Sequence, residues 1–269
     1  MKRVLIANRG EIAVRVLRAC RQVGVEAVMI YSRADRDMPY LREADRAVCI
    51  GPPAAIHSYL SQDAILTAAL GTGCDALHPG YGFLAENAGF AERCAQHGLT
   101  FVGPSPEAIR LMGDKIAGRE AAQRHGVPLV PGSHLTIDDP KLAREEAERI
   151  GFPLLIKASA GGGGRGMRVV HDGKDLEGQL EQARAEALAA FSNPSVYLER
   201  FFAKVHHVEV QVFGDSHGNV AQLGERDCST QRRHQKLVEE SPSPVLDEEL
   251  RNAMCETALN LTRSMGYTS

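Results

Sequence analysis

The chain has 269 residues, enough for one large domain or two ordinary ones, and can bury roughly 70–75% of its unfolded surface without disulfides or a structural metal. Apolar residues make up 43% and charged residues 24% with no Trp, which excludes the disordered and membrane classes. The formal charge is −3, from 31 basic against 34 acidic residues, which argues against nucleic acid as a partner, and no run nears the ~18 apolar residues of a membrane span.

In chain order, "RVLIAN" reads as a buried strand and "GEIAVRVLRACRQVG" as a helix, with Ile12, Val16, Ala19 and Val23 on one face and Gly24 as a stop. "VEAVMIYS" is a second strand, so a βαβ unit with a parallel sheet is predicted. A helix near 61–71, the strand "CDALHP", a helix near 86–97 and the strand "LTFVG" continue this α/β rhythm to about residue 112. The pattern then changes. A helix closed by Gly126 and Pro128 precedes the charged helix "DPKLAREEAERIG" and the strand "FPLLIKA". After a glycine run come the strand "MRVVH", a long helix to about 190, and three strands, "SVYLERFF", "HHVEVQVFG" and "NVAQLGER". "SPSP" introduces a last helix, about 247–265. The second region is therefore α+β with antiparallel pairing. The chain stops just after a helix, where such a sheet takes another strand, so a piece of a longer protein is expected.

The six cysteines are widely spaced with no C-x-x-C pair, which suits reduced thiols in a cytosol, and the apolar run of "MKRVLIANRGE" is too short for a signal peptide. A cytoplasmic protein is expected.

Gly161, Gly163 and Gly166 in "KASAGGGGRGMRVV" fit the G-x-G-x-x-G spacing of dinucleotide turns. Such a turn must open a helix, whereas strand-like "MRVV" follows here, and no G-K-[ST] makes it a P-loop. A strand–glycine loop–strand remains. It is either a phosphate cradle of backbone N–H groups, with Lys157 at the sheet rim, or a mobile hairpin tip with a solvated lysine. In "HHVEVQV", alternation sets Val208, Val210 and Val212 on one face and His207, Glu209 and Gln211 on the other. That is either an ordinary wet-faced strand or an imidazole and a carboxylate sharing a substrate. "ERDCSTQRRHQK" packs Arg226, Arg232, Arg233, His234 and Lys236 together, a small-anion site or a solvated loop. "HPGYGFLAEN" is a constrained loop after a strand, where α/β sheets contact ligands, although His78 is equally a packed turn residue. Cys228 has no activating partner in sequence.

These segments, with "RLMGDK" and "YLERFF", resemble the biotin carboxylase component of biotin-dependent carboxylases in order and spacing from residue 3 onward. The likeness is to the bacterial acetyl-CoA carboxylase subunit of fatty acid biosynthesis, with propionyl-CoA, methylcrotonyl-CoA and pyruvate carboxylases also similar. It implies a Rossmann-like N-terminal domain, 1–112, and an ATP-grasp domain, 113–269, with a glycine-loop lid at about 130–203 and its C-terminal part missing. The implied reaction is ATP- and bicarbonate-dependent carboxylation of biotin on a carrier protein.

By the resemblance, Lys115 and Lys157 bind nucleotide, Gly163 and Gly164 close on its phosphates, and Glu199, Arg200, Phe201 and Phe202 form an adenine-recognising hinge. His207, Gln231 and His234 line the nucleotide pocket, Glu209 and Lys236 contact bicarbonate as the catalytic pair, and Tyr81 and Gly82 mark the edge where biotin enters. The implied partners are a biotin carboxyl carrier protein, a carboxyltransferase and a second copy in a homodimer, with no nucleic acid and no membrane. The family's two magnesium-binding glutamates and its catalytic base fall beyond residue 269, so this chain alone is expected to be inactive. The alternatives are a non-catalytic nucleotide-binding paralogue or another bicarbonate-activating ATP-grasp ligase. A plain NAD-binding domain is disfavoured, because "ANRGEI" lacks the second and third glycines.

Overall fold

The first apolar run forms β1 (Arg3–Ile6), followed by α1 (Gly10–Gln22), β2 (Glu26–Ser32), β3 (Arg46–Gly51), α2 (Gln62–Gly71), β4 (Ala76–His78), α3 (Ala88–Gln96) and β5 (Thr100–Phe101). The computed structural model describes residues 1–133, 135–137, 139–159, 167–232 and 235–269. The strands pair in parallel in the order β3-β2-β1-β4-β5. Alternate residues of each strand enter different cores. Leu5, Val28, Ile30 and Leu77 pack with Ile65 and Leu66 of α2 and Phe90 and Cys94 of α3. Val4, Ile6, Ala27, Met29 and Ala76 pack with Ala13, Val16 and Leu17 of α1. Helices on both faces explain why these strands read as continuous apolar runs. The strand order reverses between β1 and β4, and at such a reversal the loops leaving the carboxyl ends diverge and leave a crevice. The sequence reading omitted β3, whose residues are half exposed and alternate poorly.

Helix α4 (Pro106–Gly113) carries the boundary between two compact units, Met1–Arg110 with Thr268–Ser269, and Leu111–Tyr267. The second unit continues with α5 (Lys115–Arg124), α6 (Pro140–Ile150), β6 (Leu154–Ala158), β7 (Arg168–Val170), α7 (Leu176–Phe191) and β8 (Val196–Arg200). The antiparallel sheet β7-β6-β8 buries Leu154, Ile156, Val196 and Leu198 against Ala143 and Ala147 of α6 and Leu180, Ala183 and Ala187 of α7. Small residues on both helices let them lie close to the sheet.

Next come β9 (Val208–Gly214) and β10 (Val220–Asp227), an antiparallel ribbon, then β11 (Gln231–Arg232), β12 (Gln235–Lys236) and α8 (Glu248–Ser264), which packs on the ribbon. The ribbon contains a bulge. Gln222 pairs with Val212 but Glu225 with Val210, so β10 holds one extra residue there, and Gly224 takes a φ of 84°.

Strands β6 and β7 are antiparallel neighbours, with Leu154 opposite Val170 and Ile156 opposite Arg168. A dinucleotide turn would lead into a helix instead, whereas the element that follows the glycine run here is a strand paired with β6. Gly163 and Gly164 themselves lie outside the described residues.

Candidate functional site

Three groupings of polar side chains coincide with the motifs. The first stands on the sheet of the second unit. With Leu154, Ile156 and Ala158 turned into the core, Lys157 points to the other face of β6. Its cross-strand partner is Tyr197, which places Glu199 diagonally next to it on the same face. The Lys157 ammonium bonds Glu199 Oε2, while Arg119 Nη1 of α5 donates to Oε1 at 2.8 Å. Glu199 is only 9% exposed, so both cations neutralise a nearly dry carboxylate.

Lys115, the first residue of α5, is positioned by its neighbour. Asp114 caps the helix by accepting from the backbone N–H groups of Ile116 (2.9 Å) and Ala117 (3.2 Å). Lys115 Nζ donates to the Ala158 carbonyl at 3.2 Å, at the end of β6 that leads into the glycine run. Burial, and then the positive charge of Lys157, hold its ammonium below the ordinary lysine range. Among the described residues, Lys115 and Lys157 thus converge on one strand end where the bonded carboxylate, Glu199, is already shared with Arg119, which leaves capacity for an anion.

The second grouping stands on the ribbon. Register sets Arg226 of β10 opposite Glu209 of β9, and Gln231 opposite Lys236. Glu209 bonds both Arg226 and Lys236, and Arg226 also reaches Glu239 at 2.5 Å and Gln211 at 3.3 Å. Burial works against the charge of Glu209, yet the hydrogen bond from Lys236 and the field of Arg226 hold its carboxyl below the ordinary glutamate range. The Glu209 hydrogen bond in turn raises Lys236, so both groups stay ionised. Cys228, buried nearby, has its thiol pushed up by burial and is no thiolate nucleophile.

Glu209, Cys228 and Glu239 offer ligand atoms within 4.8 Å of one another. Magnesium does not fit this set. It requires oxygen donors in octahedral array, whereas one donor here is a thiol and both carboxylates are engaged by Arg226 and by Lys236.

The third grouping lies in the first unit, at the reversal of strand order. Asn8, just past β1 and 3% exposed, donates from Nδ2 to the carbonyls of Pro79 (2.7 Å) and Tyr81 (2.8 Å) past β4. His78 Nδ1 accepts from the Gly80 N–H at 3.0 Å, and burial lowers the His78 pKa, so this imidazole is a neutral turn residue. Gly80 has a φ of 65°, and a Cβ there would stand 2.8 Å from Asn8 Nδ2. Gly80→Ala is therefore expected to displace Asn8 and cost about 2 kcal/mol in chemical denaturation, through left-handed strain and lost buried hydrogen bonds. A cost below about 0.5 kcal/mol would show the loop to be self-supporting. Past this turn, Tyr81 is exposed and bonds Glu11 through its hydroxyl, and Gly82 follows at a φ of 68°.

Among the remaining candidates, Arg200 ends β8, and Phe201 and Phe202 lie beyond it, where the sequence reading carried the strand on. Phe202 is exposed. His207 also precedes its strand, which starts at Val208, so it does not share the regular face of Glu209 and Gln211. It is exposed, with its N–H donating to Ser229 Oγ. His234 lies outside the described residues. The sequence reading assigned no role to Arg119 or Glu239. Arg119 follows Lys115 by four residues, one helical turn, so that spacing was the available signal.

Residues 1–109 match the model described as "Biotin carboxylase, N-terminal domain", and residues 114–269 match "Carbamoyl-phosphate synthase L chain, ATP binding domain". "Biotin carboxylase 1" of Bacillus subtilis is 52% identical over 268 residues, covering 100% of this chain and 60% of its own length. The chain belongs to the biotin carboxylase family. A Campylobacter jejuni biotin carboxylase, crystallised as a "beta-gamma-ATP complex", superposes on this family member with a TM-score of 0.97 at 50% identity, over 100% of this chain and 60% of the other. The biotin carboxylase domain dimer of Hydrogenobacter thermophilus 2-oxoglutarate carboxylase, in complex with MgADP, ADP and bicarbonate, does so at 0.95 and 46% identity, covering 100% and 59%. The fold is thus that of an ATP-grasp biotin carboxylase, of which this chain spans about 60% of the length of the curated relatives it matches.

Proposed function

We propose that the whole protein carboxylates biotin on a carrier protein at the expense of ATP and bicarbonate, and that this chain supplies its nucleotide- and bicarbonate-facing residues. The observation that carries this reading is the convergence of Lys115 and Lys157 on the end of β6 that leads into the glycine run. In this reading their ammonium groups neutralise phosphate oxygens, and Gly163 and Gly164 allow the backbone to approach them. Glu199, Arg200, Phe201 and Phe202 receive the adenine, with His207, Gln231 and His234 lining the same pocket.

Bicarbonate carries one O–H donor and a charged acceptor end, which suits a carboxylate and an ammonium held together. Glu209, kept ionised, accepts from the O–H, and Lys236 donates to the anionic oxygen. A bicarbonate oxygen then attacks the γ-phosphorus and ADP leaves. The resulting carboxyphosphate breaks its C–O bond to give CO2 and phosphate; the released phosphate takes the ureido N–H proton, and the nitrogen adds to the carbon of CO2. Tyr81 and Gly82 border the biotin at the switch-point crevice of the first unit. Magnesium neutralises the β- and γ-phosphates when bound, and no described residue of this chain is assigned to it. A carboxyltransferase, a homodimer and the cytoplasm complete the reading. No helix among the described residues is long and apolar enough to cross a membrane.

Calorimetry with ADP and no magnesium tests the nucleotide half on this chain alone. Saturable binding is expected, without bicarbonate-dependent ATP turnover, and absence of any binding would sink the reading. The sign of its pH dependence follows from Lys115. An arriving phosphate favours the charged ammonium, so binding takes up a proton wherever free Lys115 is partly neutral. Affinity is expected to fall as pH rises through the lowered Lys115 value, in the alkaline range below 10.5. Heats measured in buffers of different ionisation enthalpy report that proton.

A further inference from the structure

Resting on the nucleotide reading, we propose that Arg119 is a positioning residue, the permanent counter-ion of Glu199 that lets Lys157 leave this carboxylate for a nucleotide phosphate. A lysine that binds phosphate must first give up its resting partner. Here that partner is a carboxylate 9% exposed, and leaving it unpaired in so dry a place would oppose the transfer.

The two cations are not equivalent. Arg119 is tied at both ends of its fork, with Nη1 on Glu199 Oε1 at 2.8 Å and Nη2 on the Val130 carbonyl at 2.7 Å. The chain is shaped around it. A Cβ on Gly132 would stand 2.8 Å from Arg119 Nη2, and Gly132 is bridged to Glu199 through the backbone. The Arg119 side chain is 14% exposed, against 25% for Lys157. A planar fork with fixed anchors stays, whereas a single ammonium on a flexible stem can move. When Lys157 departs, Glu199 keeps a charge-assisted hydrogen bond and needs no rearrangement.

Arg119 borders a cavity of about 270 Å³ shared with Gln123, Val130, Pro131 and Arg149, so Arg119→Met fits without collision. Two readouts on the 269-residue chain test the role. The first is affinity for ADP and for adenosine. R119M is expected to weaken ADP about tenfold and leave adenosine within about twofold, because without a phosphate Lys157 stays on Glu199 and keeps it in place for the adenine, whereas ADP requires Lys157 to move. The second needs no nucleotide: the rate of reductive methylation of Lys157, followed by peptide mass spectrometry. It is expected to fall several-fold in R119M, where Glu199 holds Lys157 alone, and to recover in R119M/E199Q, where there is no charge to hold it. The double variant carries no uncompensated carboxylate, which keeps the test readable should R119M fold poorly. Equal losses for ADP and adenosine would indicate a merely structural arginine and overturn the proposal. So would an unchanged methylation rate in R119M, or a slow rate that E199Q does not restore. If the parent chain binds no ADP, the nucleotide reading fails, while the methylation rates still decide the role of Arg119.

Discussion

Glu199→Ala is expected to lower the melting temperature of the second unit by roughly 6–12 °C. The reasoning starts from burial. Glu199 is shared by Arg119 and Lys157, whose side chains are 14% and 25% exposed. Deleting the carboxylate leaves two neighbouring cations with no anion between them, in a place where water screens them poorly. Removing one partner of such a buried arrangement costs about 3 kcal/mol, and each kcal/mol shifts the melting temperature by about 2–4 °C at this size. Lys115 adds to the effect, since its own ammonium already feels the charge of Lys157. Circular dichroism melts measure it. A shift under about 2 °C would mean that water enters freely and that Glu199 is a surface residue in energetic terms.

The second large effect belongs to the first unit. Asp35→Ala is expected to cost about 3 kcal/mol near neutral pH, because it strands two buried hydroxyl groups. Asp35 accepts from Tyr59 Oη and Ser32 Oγ, both at 2.7 Å, and from Arg9 Nη1 at 3.1 Å. Tyr59 is 1% exposed and Ser32 is fully buried, so neither hydroxyl can turn to water. The loss reaches the loop beyond β4, because the Phe83 ring stacks on Tyr59 at 5.1 Å.

The pH dependence has a definite sign. Burial opposes the charge of Asp35, but the Tyr59 and Ser32 hydrogen bonds and Arg9 hold its pKa below the ordinary 3.8. A depressed carboxylate contributes its stability above the unfolded value and loses it as pH falls through the folded one. The difference between parent and variant in urea denaturation should therefore be full near neutral pH and shrink below 3.8. A difference that grew on acidification would show the carboxyl to be protonated in the native state.

Much of this was legible in the residues themselves. The parallel sheet of the first unit announced itself because "RVLIAN" and "VEAVMIYS" flank an amphipathic helix, and both faces of a covered parallel strand must be apolar. The strand after the glycines was legible because a β-branched run followed them. Strand β3 was not, since its half-exposed residues carry no clean period. The candidate site divides the same way. Lys157 and Glu199 were each singled out, but their contact depends on a register between strands that sequence spacing does not encode. Arg119 sits 80 residues from its partner Glu199, and only the helical turn it shares with Lys115 hinted at its direction. For Glu209 and Lys236 the motif gave the residue types, whereas the contact of Arg226 with Glu209 emerged from the pairing of β9 with β10.

That pairing bears on which length changes this protein can tolerate. Count three residues along each strand from Gln222 and Val212 without the bulge, and Glu225, not Arg226, would stand opposite Glu209. The spare residue at Gly224 therefore decides whether the ribbon opposes acid to base or acid to acid. Shortening and substitution should have opposite consequences there. Deleting Gly224 heals the ladder and leaves Arg226 in place, so a relative one residue shorter can keep the same ion pair. Exchanging Gly224 for a β-branched residue, which resists a φ of 84°, presses the full-length strand toward the regular register and sets two carboxylates against each other. At this point in the chain, losing a residue is the conservative change and keeping it with a different side chain is the disruptive one.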